Sequence, residues 1–256
     1  MSEPLLQVIN LAKRFEGIVA TDSLTLNVVA GELHAVIGPN GAGKTTLIAQ
    51  LGGQVIPDSG RIRFAENDIT ALPIHRRNRL GLARTFQIAS LFLDLSVLDN
   101  VALAVQAHAG HSFRFWRNAR EDPELRQPAR AALARVGLAQ RADLPASALS
   151  HGEHRLLELA VALASQPRML LLDEPMAGLG PEESAHMVEM LRALKRDLTI
   201  LLVEHDMEAV FALADRITVL VYGRAIASGT PEAIRSSGEV RQAYLGESDE
   251  ESAAMH

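Results

Sequence analysis

Residues Gly38–Thr45 read GPNGAGKT, and this stretch decides the fold. Two glycines bracket a four-residue spacer and a Lys-Thr pair follows, the full pattern of a phosphate-binding loop. Its surroundings match: an apolar run, Leu33–Ile37, reads as a strand before it, and a helical run starts at Thr45 after it. Glycine lets the backbone N–H groups turn inward around phosphate oxygens, and the helix N-terminus adds partial positive charge. In such a loop Lys44 reaches the terminal phosphates and the Thr45 hydroxyl ligates Mg²⁺. Gly38, Pro39, Asn40, Gly41, Ala42, Gly43 and Thr46 complete the expected nucleotide cradle.

Outward from the loop, short β-like runs fall at Leu5–Ile9, Leu24–Val29 and Arg61–Phe64, with turns at Gly31-Glu32 and Asp58-Ser59-Gly60. A further apolar run, Gly81–Phe86, leads to Gln87. From Val97 to Ala164 the pattern is alanine- and leucine-rich helix broken at Gly110, Pro123, Gly137 and Pro145. Met169–Leu172 and Thr199–Val203 are then continuous apolar runs, as in a parallel sheet covered on both faces. Between them Pro181–Leu194 reads as a helix, with proline at its first position and Glu182 and Glu183 in its first turn. The expected fold is α/β, with an antiparallel β region near the N-terminus and a helical subdomain inserted at about 90–165. The domain spans 1–246, and the acidic stretch 247–256 is expected to be a disordered tail.

Two further stretches carry candidate chemistry. Met169–Pro175 reads MLLLDEP, placing Asp173 and Glu174 at the C-terminal end of a core strand, where open α/β sheets bind ligands. Asp173 is the natural Mg²⁺ partner and Glu174 is placed to polarise an attacking water; the structural alternative is a strand end before a proline turn. Leu149–Glu153 reads LSHGE and opens a helix, Gly152–Ala164, whose Leu156, Leu159, Ala160 and Leu163 share one face. Ser150 and Glu153 have the spacing of a capping box, which needs no ligand. The functional alternative presents Ser150 and the Gly152 amide to a phosphate.

The net charge of −6 gives no support to nucleic acid as a partner. Without cysteine there is neither a disulfide nor a thiolate metal site. No apolar run approaches the length of a membrane span and no secretory leader is evident, so a soluble protein is expected, reaching a membrane only through partners. An aromatic–basic cluster, Phe113–Arg117, is expected on the surface against the membrane side or a partner, with a buried Trp116 as the alternative.

The order of these pieces is a phosphate loop, Gln87 after a strand, a serine–glycine helix start, a Asp-Glu strand end, then Glu204-His205 at the next strand end. Over essentially the whole chain it resembles the ATP-binding subunits of ABC transporters. That resemblance implies a P-loop NTPase core that binds ATP and Mg²⁺. Gln87 would touch Mg²⁺ and sense the transporter's coupling helix, and Ser150, His151, Gly152 and Glu153 would form the signature motif. His205 would be the switch histidine, assisting Glu174 and Lys44 in catalysis, and Phe15 would stack on adenine or, equally, pack in the core. The strings GLARTFQ, LFLDLSVLDNVALA, LLVEHDM and GRAIASGTPEAIR narrow the resemblance to the ATPases of branched-chain amino acid importers, with urea or amide importers and lipopolysaccharide exporters as related alternatives. A soluble ABC protein of DNA repair or translation, or another P-loop enzyme such as a kinase, fits less well.

The implied partners are a second ABC ATPase subunit (a heterodimer, with a homodimer as alternative), two transmembrane permeases and, indirectly, a periplasmic binding protein. The implied location is the cytoplasmic face of the inner membrane. The chain departs from the family pattern in having His151 where glycine is usual, Glu153 where glutamine is usual, and Gly180 where many members carry a coupling aspartate. Arg155 is the nearest candidate in sequence to neutralise Glu153.

Overall fold

The computed structural model describes residues 3–85, 91–109 and 122–242. Gln87, the Phe113–Arg117 cluster and the acidic tail lie outside the described residues. In chain order come β1 (Pro4–Phe15), β2 (Ile18–Val29), β3 (Leu33–Ile37), α1 (Lys44–Gly52), β4 (Ser59–Phe64), β5 (Asn67–Asp68), α2 (Ile74–Arg79) and β6 (Leu82–Arg84). Next follow α3 (Val97–Ala109), α4 (Pro123–Arg135), two 3-10 turns (Ala139–Arg141 and Ala146–Ala148), α5 (His151–Leu163), β7 (Met169–Asp173), α6 (Pro181–Leu194) and β8 (Thr199–Val203). α7 (Met207–Leu213), β9 (Arg216–Val221), β10 (Arg224–Gly229) and α8 (Pro231–Ser236) close the described chain.

Among the described residues the strands form two sheets. One is antiparallel, in the order β2-β1-β4-β5; the other runs β10-β9-β3-β8-β7-β6, parallel throughout except for the β9–β10 hairpin. The continuous apolar runs follow from this second sheet being covered on both faces. Along β7, Met169 and Leu171 pack toward α1 and the antiparallel sheet, whereas Leu170 and Leu172 pack toward the helices α3 to α6. β8 divides the same way, with Leu201 and Val203 on one side and Ile200 and Leu202 on the other. Each such side chain, fully buried, contributes about 1.5–3 kcal/mol. The sheet therefore fixes its strand ends firmly, and the site is built on those ends.

The β1–β2 turn shows how local chemistry places a single residue. Phe15 pairs with Ile18, and between them Glu16 (φ 44°) and Gly17 (φ 98°) both take left-handed backbone, as a tight two-residue hairpin demands. Phe15 is thereby held at the hairpin end, 44% exposed, which removes the core alternative for this ring.

One buried side chain ties α1 to the surrounding loops. Arg77 of α2 is 1% exposed and donates to the carbonyl oxygens of Gln50 (2.7 Å), Leu51 (2.8 Å), Leu72 (2.8 Å) and Thr70 (3.0 Å). Gln50 and Leu51 belong to the last turn of α1, whose carbonyls have no partner within the helix. Burial pushes the Arg77 guanidinium down to about 10, which leaves it protonated at neutral pH. Arg77→Met keeps much of the volume but donates nothing, removing the side-chain donor of the Leu51, Leu72 and Thr70 carbonyls and one of two donors to that of Gln50. It is expected to cost about 2–4 kcal/mol in urea unfolding, with Arg77→Lys recovering part of the loss.

Candidate functional site

β3 lies between β9 and β8 in the middle of the parallel sheet, so the loop that follows it emerges at the sheet's centre. Glycine is required there by contact. A Cβ on Gly38 would stand 2.1 Å from the Leu220 carbonyl oxygen, and one on Gly43 would stand 2.0 Å from that of Ala20. The loop's inner side is filled by Lys44, which is buried and donates to the carbonyl oxygens of Gly38 (2.6 Å) and Pro39 (2.9 Å). Asn40, Gly41 and Thr45 are exposed, and Thr46 is half-buried.

Parallel pairing brings the other strand ends alongside. Val36 pairs with Val203 of β8, which in turn pairs with Asp173 of β7. Asp173 is buried; its Oδ2 accepts from Arg84 Nη2 at 3.1 Å, while its Oδ1 is buried and accepts no hydrogen bond. Burial pushes the Asp173 carboxyl up, Arg84 and Lys44 pull it down, and the neighbouring Glu174 pushes it up again. Glu174 takes left-handed backbone (φ 49°) and its N–H donates to the Val203 carbonyl at 2.9 Å. That geometry turns the chain sharply off the strand and leaves the Glu174 side chain half-buried.

The next strand end carries a carboxylate with a structural duty. Glu204 is fully buried; it accepts from the Met176 amide at 3.0 Å and from the His205 amide at 3.0 Å. Burial pushes its carboxyl up, and these amides, with that of Asp206, pull it down. Glu204 thus fastens the chain just after Glu174 to the chain that presents His205. The His205 ring is 63% exposed, with Nδ1 3.8 Å from Glu204 Oε2.

The serine–glycine helix start is built separately. Ser150 caps α5 by accepting from the Glu153 amide (3.2 Å), and Glu153 returns a bond from the Ser150 amide (2.9 Å). His151 is exposed and Gly152 buried. Ser150, Gly152 and Glu153 line a cavity of about 310 Å³ together with residues of α6, and no residue of the phosphate loop lines it. The structure therefore gathers Lys44, Asp173, Glu174 and the Glu204-His205 pair at one edge of the sheet, while the start of α5 lines a cavity against α6.

Comparison with known proteins bears on this arrangement. The sequence profile described as ABC transporter matches residues 21–177, and one described as branched-chain amino acid ATP-binding cassette transporter matches residues 226–250. Two of its relatives are high-affinity branched-chain amino acid transport ATP-binding proteins. LivG of Salmonella typhimurium is 40% identical, and BraF of Pseudomonas aeruginosa 38%; in both cases the match covers 96% of this chain and 100% of the relative. The chain belongs to the ABC transporter family of ATPases. The ADP conformation of MJ1267, an ATP-binding cassette of an ABC transporter, superposes on this ABC ATPase with a TM-score of 0.84 at 29% identity, covering 96% of this chain and 100% of that one.

Several contacts in this ABC ATPase were not anticipated from its sequence. Arg84 reaches Asp173 and also donates to Gln54, and Glu204 braces the loop after Glu174. Another corrects the expected partner of Glu153. It is Arg141, whose Nε lies 3.0 Å from Glu153 Oε1, whereas Arg155 pairs with Glu158 at 3.1 Å. Positions two apart on a helix point to different faces, and positions three apart meet. Glu153 is thus both capping and paired, so its charge is largely answered. Glu153→Gln, which also caps, is expected to change stability by less than about 0.5 kcal/mol and ATP turnover by less than about twofold. Thermal melting and a coupled ATPase assay check this; a several-fold rise in turnover would contradict it.

Proposed function

We propose that this chain is one of two ATP-hydrolysing subunits that power an importer of branched-chain amino acids. The full-length similarity to proteins named for that transport supports the substrate class. The observation that carries the chemistry is the strand edge holding Lys44, Asp173 and Glu174 together. In this reading the phosphate loop Gly38–Thr46 cradles the ATP phosphates, Lys44 leaves its loop carbonyls to meet the β- and γ-phosphates, and the exposed Phe15 stacks on adenine. Glu174 accepts a proton from the attacking water as the bond to the γ-phosphorus forms and the bond to the ADP oxygen breaks. His205, braced by Glu204, holds the γ-phosphate side.

The residues present fit a Mg²⁺ ion. Asp173 Oδ1 is a buried, acceptor-only oxygen without a donor, a costly arrangement that a cation relieves. Asp173 and the Thr45 hydroxyl, with Gln87, would hold the ion, which when bound neutralises charge on the phosphates. Arg84 meanwhile fixes the orientation of Asp173 through its other oxygen.

In this reading Ser150, His151, Gly152 and Glu153, whose helix start lines a cavity against α6 without any residue of the phosphate loop, serve the nucleotide of a second subunit. ATP then lies between two chains and its hydrolysis releases them. A groove of about 500 Å³ lies between α2, α3 and α5, mostly apolar at Ile74, Leu91, Ala104 and Val161 and adjoining Arg84. It is suited to a short helical segment of a permease, which would place this subunit peripherally on the cytoplasmic side of the membrane. Among the described residues no helix is long and apolar enough to cross a bilayer.

Glu174→Gln keeps the shape but loses the base, so ATP binding is expected to persist while turnover falls by roughly 10²–10⁴-fold. Lys44→Ala is expected to lose nucleotide affinity itself. Binding and turnover measured side by side separate the two; near-normal turnover in Glu174→Gln would overturn the proposed mechanism. Loss of leucine, isoleucine and valine uptake on disrupting the gene tests the substrate class.

A further inference from the structure

α5 and α6 meet at their N-termini, and one carboxylate serves both. Glu183 Oε2 accepts from the Gly180 amide at 3.2 Å, closing a box at the start of α6, while Oε1 accepts from the Gly152 amide at 3.2 Å. The approach is close enough to dictate the residue beneath it, for a Cβ on Gly152 would fall 2.5 Å from Glu183 Oε1. Glu153, the other carboxylate at this helix start, is answered by Arg141; Glu183 is held by backbone amides. Beside it lies the 310 Å³ cavity that Glu183 shares with Ser150, Gly152 and His186, which leaves room for its side chain to swing aside.

In the proposed function the start of α5 serves the partner's nucleotide, and this same Gly152 amide is the backbone donor it offers to a phosphate. A backbone amide carries one hydrogen, and two anions crowded onto it repel each other. We propose that Glu183 is a placeholder anion: it occupies the Gly152 amide in the separated subunit and must be displaced before two subunits close on ATP. Glu183 therefore sets the ATP concentration at which pairing occurs. Because the same carboxylate holds Gly180, its displacement also frees the far end of the loop that begins at Glu174, so docking at one nucleotide is felt beside the base for the other. The inference rests on the reading of α5 as the half-site offered to a partner.

Pairing is measured by sedimentation of the full-length chain in the Glu174→Gln background with Mg²⁺ and increasing ATP, alone and mixed with the second ATP-binding subunit of the proposed importer. Glu183→Gln has one acceptor, enough to keep the Gly180 cap, and carries no charge. It is expected to lower the ATP concentration for half-maximal pairing by about five- to tenfold, the scale of one charge-assisted hydrogen bond. Glu183→Ala should move it in the same direction, with thermal melting confirming that both variants fold. In the nucleotide-free subunit labelled with ¹⁵N-glycine, the Gly152 amide resonance should shift in Glu183→Gln. An unshifted resonance overturns the contact, and a shifted resonance with unchanged or weaker pairing overturns the placeholder role. Ser150→Ala in the same background tests the underlying reading alone: if it leaves pairing intact, α5 is not the partner's half-site, whatever Glu183 does.

Discussion

The phosphate loop is pinned between two carbonyl oxygens, and the rest of the site depends on that pinning. Ala20 belongs to β2 of the antiparallel sheet and Leu220 to β9 of the parallel sheet. Each stands where a side chain on the loop would have to be, at Gly43 and Gly38 respectively. The loop is therefore a place where the two sheets meet by close backbone contact. Close packing tolerates no extra methyl at such a point. Further backbone bonds reinforce it: the Gly223 amide donates to Ala42 at 2.9 Å, and the Asp22 amide to Gly223 at 2.9 Å. With the loop held from both sides, Lys44 and the start of α1 have a fixed position relative to the ends of β7 and β8.

Those strand ends concentrate negative charge. Asp173, Glu174 and Glu204 fall at or just beyond the ends of two adjacent strands, and the two that are buried have their carboxyls pushed upward by burial. The chain answers each by a different device. A guanidinium from β6 meets Asp173, and backbone amides meet Glu204; Glu174 is half-exposed and turned away by a left-handed backbone. Backbone amides leave a carboxylate charged without adding a competing cation. Arg84 does add one, and it serves the only one of the three whose second oxygen is buried and unpartnered.

Much of this was legible in the sequence where the signal is local. The runs Leu33–Ile37 and Thr199–Val203 are strands with the bounds expected, and Pro181–Leu194 is a helix from its proline to its last leucine. In each case burial on both faces, or proline and acidic residues at the helix start, acts over a few residues. The capping box at Ser150 and Glu153 was legible for the same reason. Arg84 with Asp173, Arg141 with Glu153 and Glu183 with Gly152 were not, because they join residues 89, 12 and 31 positions apart, and only the packing of strands and helices decides who meets. The short helix α2 was missed because IHRRNR offers almost no apolar face; its anchor is a buried arginine. The hairpin β9–β10 was missed too, although its first strand is as apolar as β8 over Ile217–Leu220.

If Glu174 is the base proposed above, its backbone sets stability against turnover. A glutamate with φ near 49° sits in a region that costs an L-residue roughly 1–2 kcal/mol and costs glycine almost nothing. Asparagine and aspartate also tolerate it better than glutamate does. A laboratory selection for heat resistance alone would thus tend to replace this residue, and under the role proposed for Glu174 the winners would be sturdier proteins with little ATP turnover. On that proposal the carboxylate is kept by selection for work done, not for sturdiness.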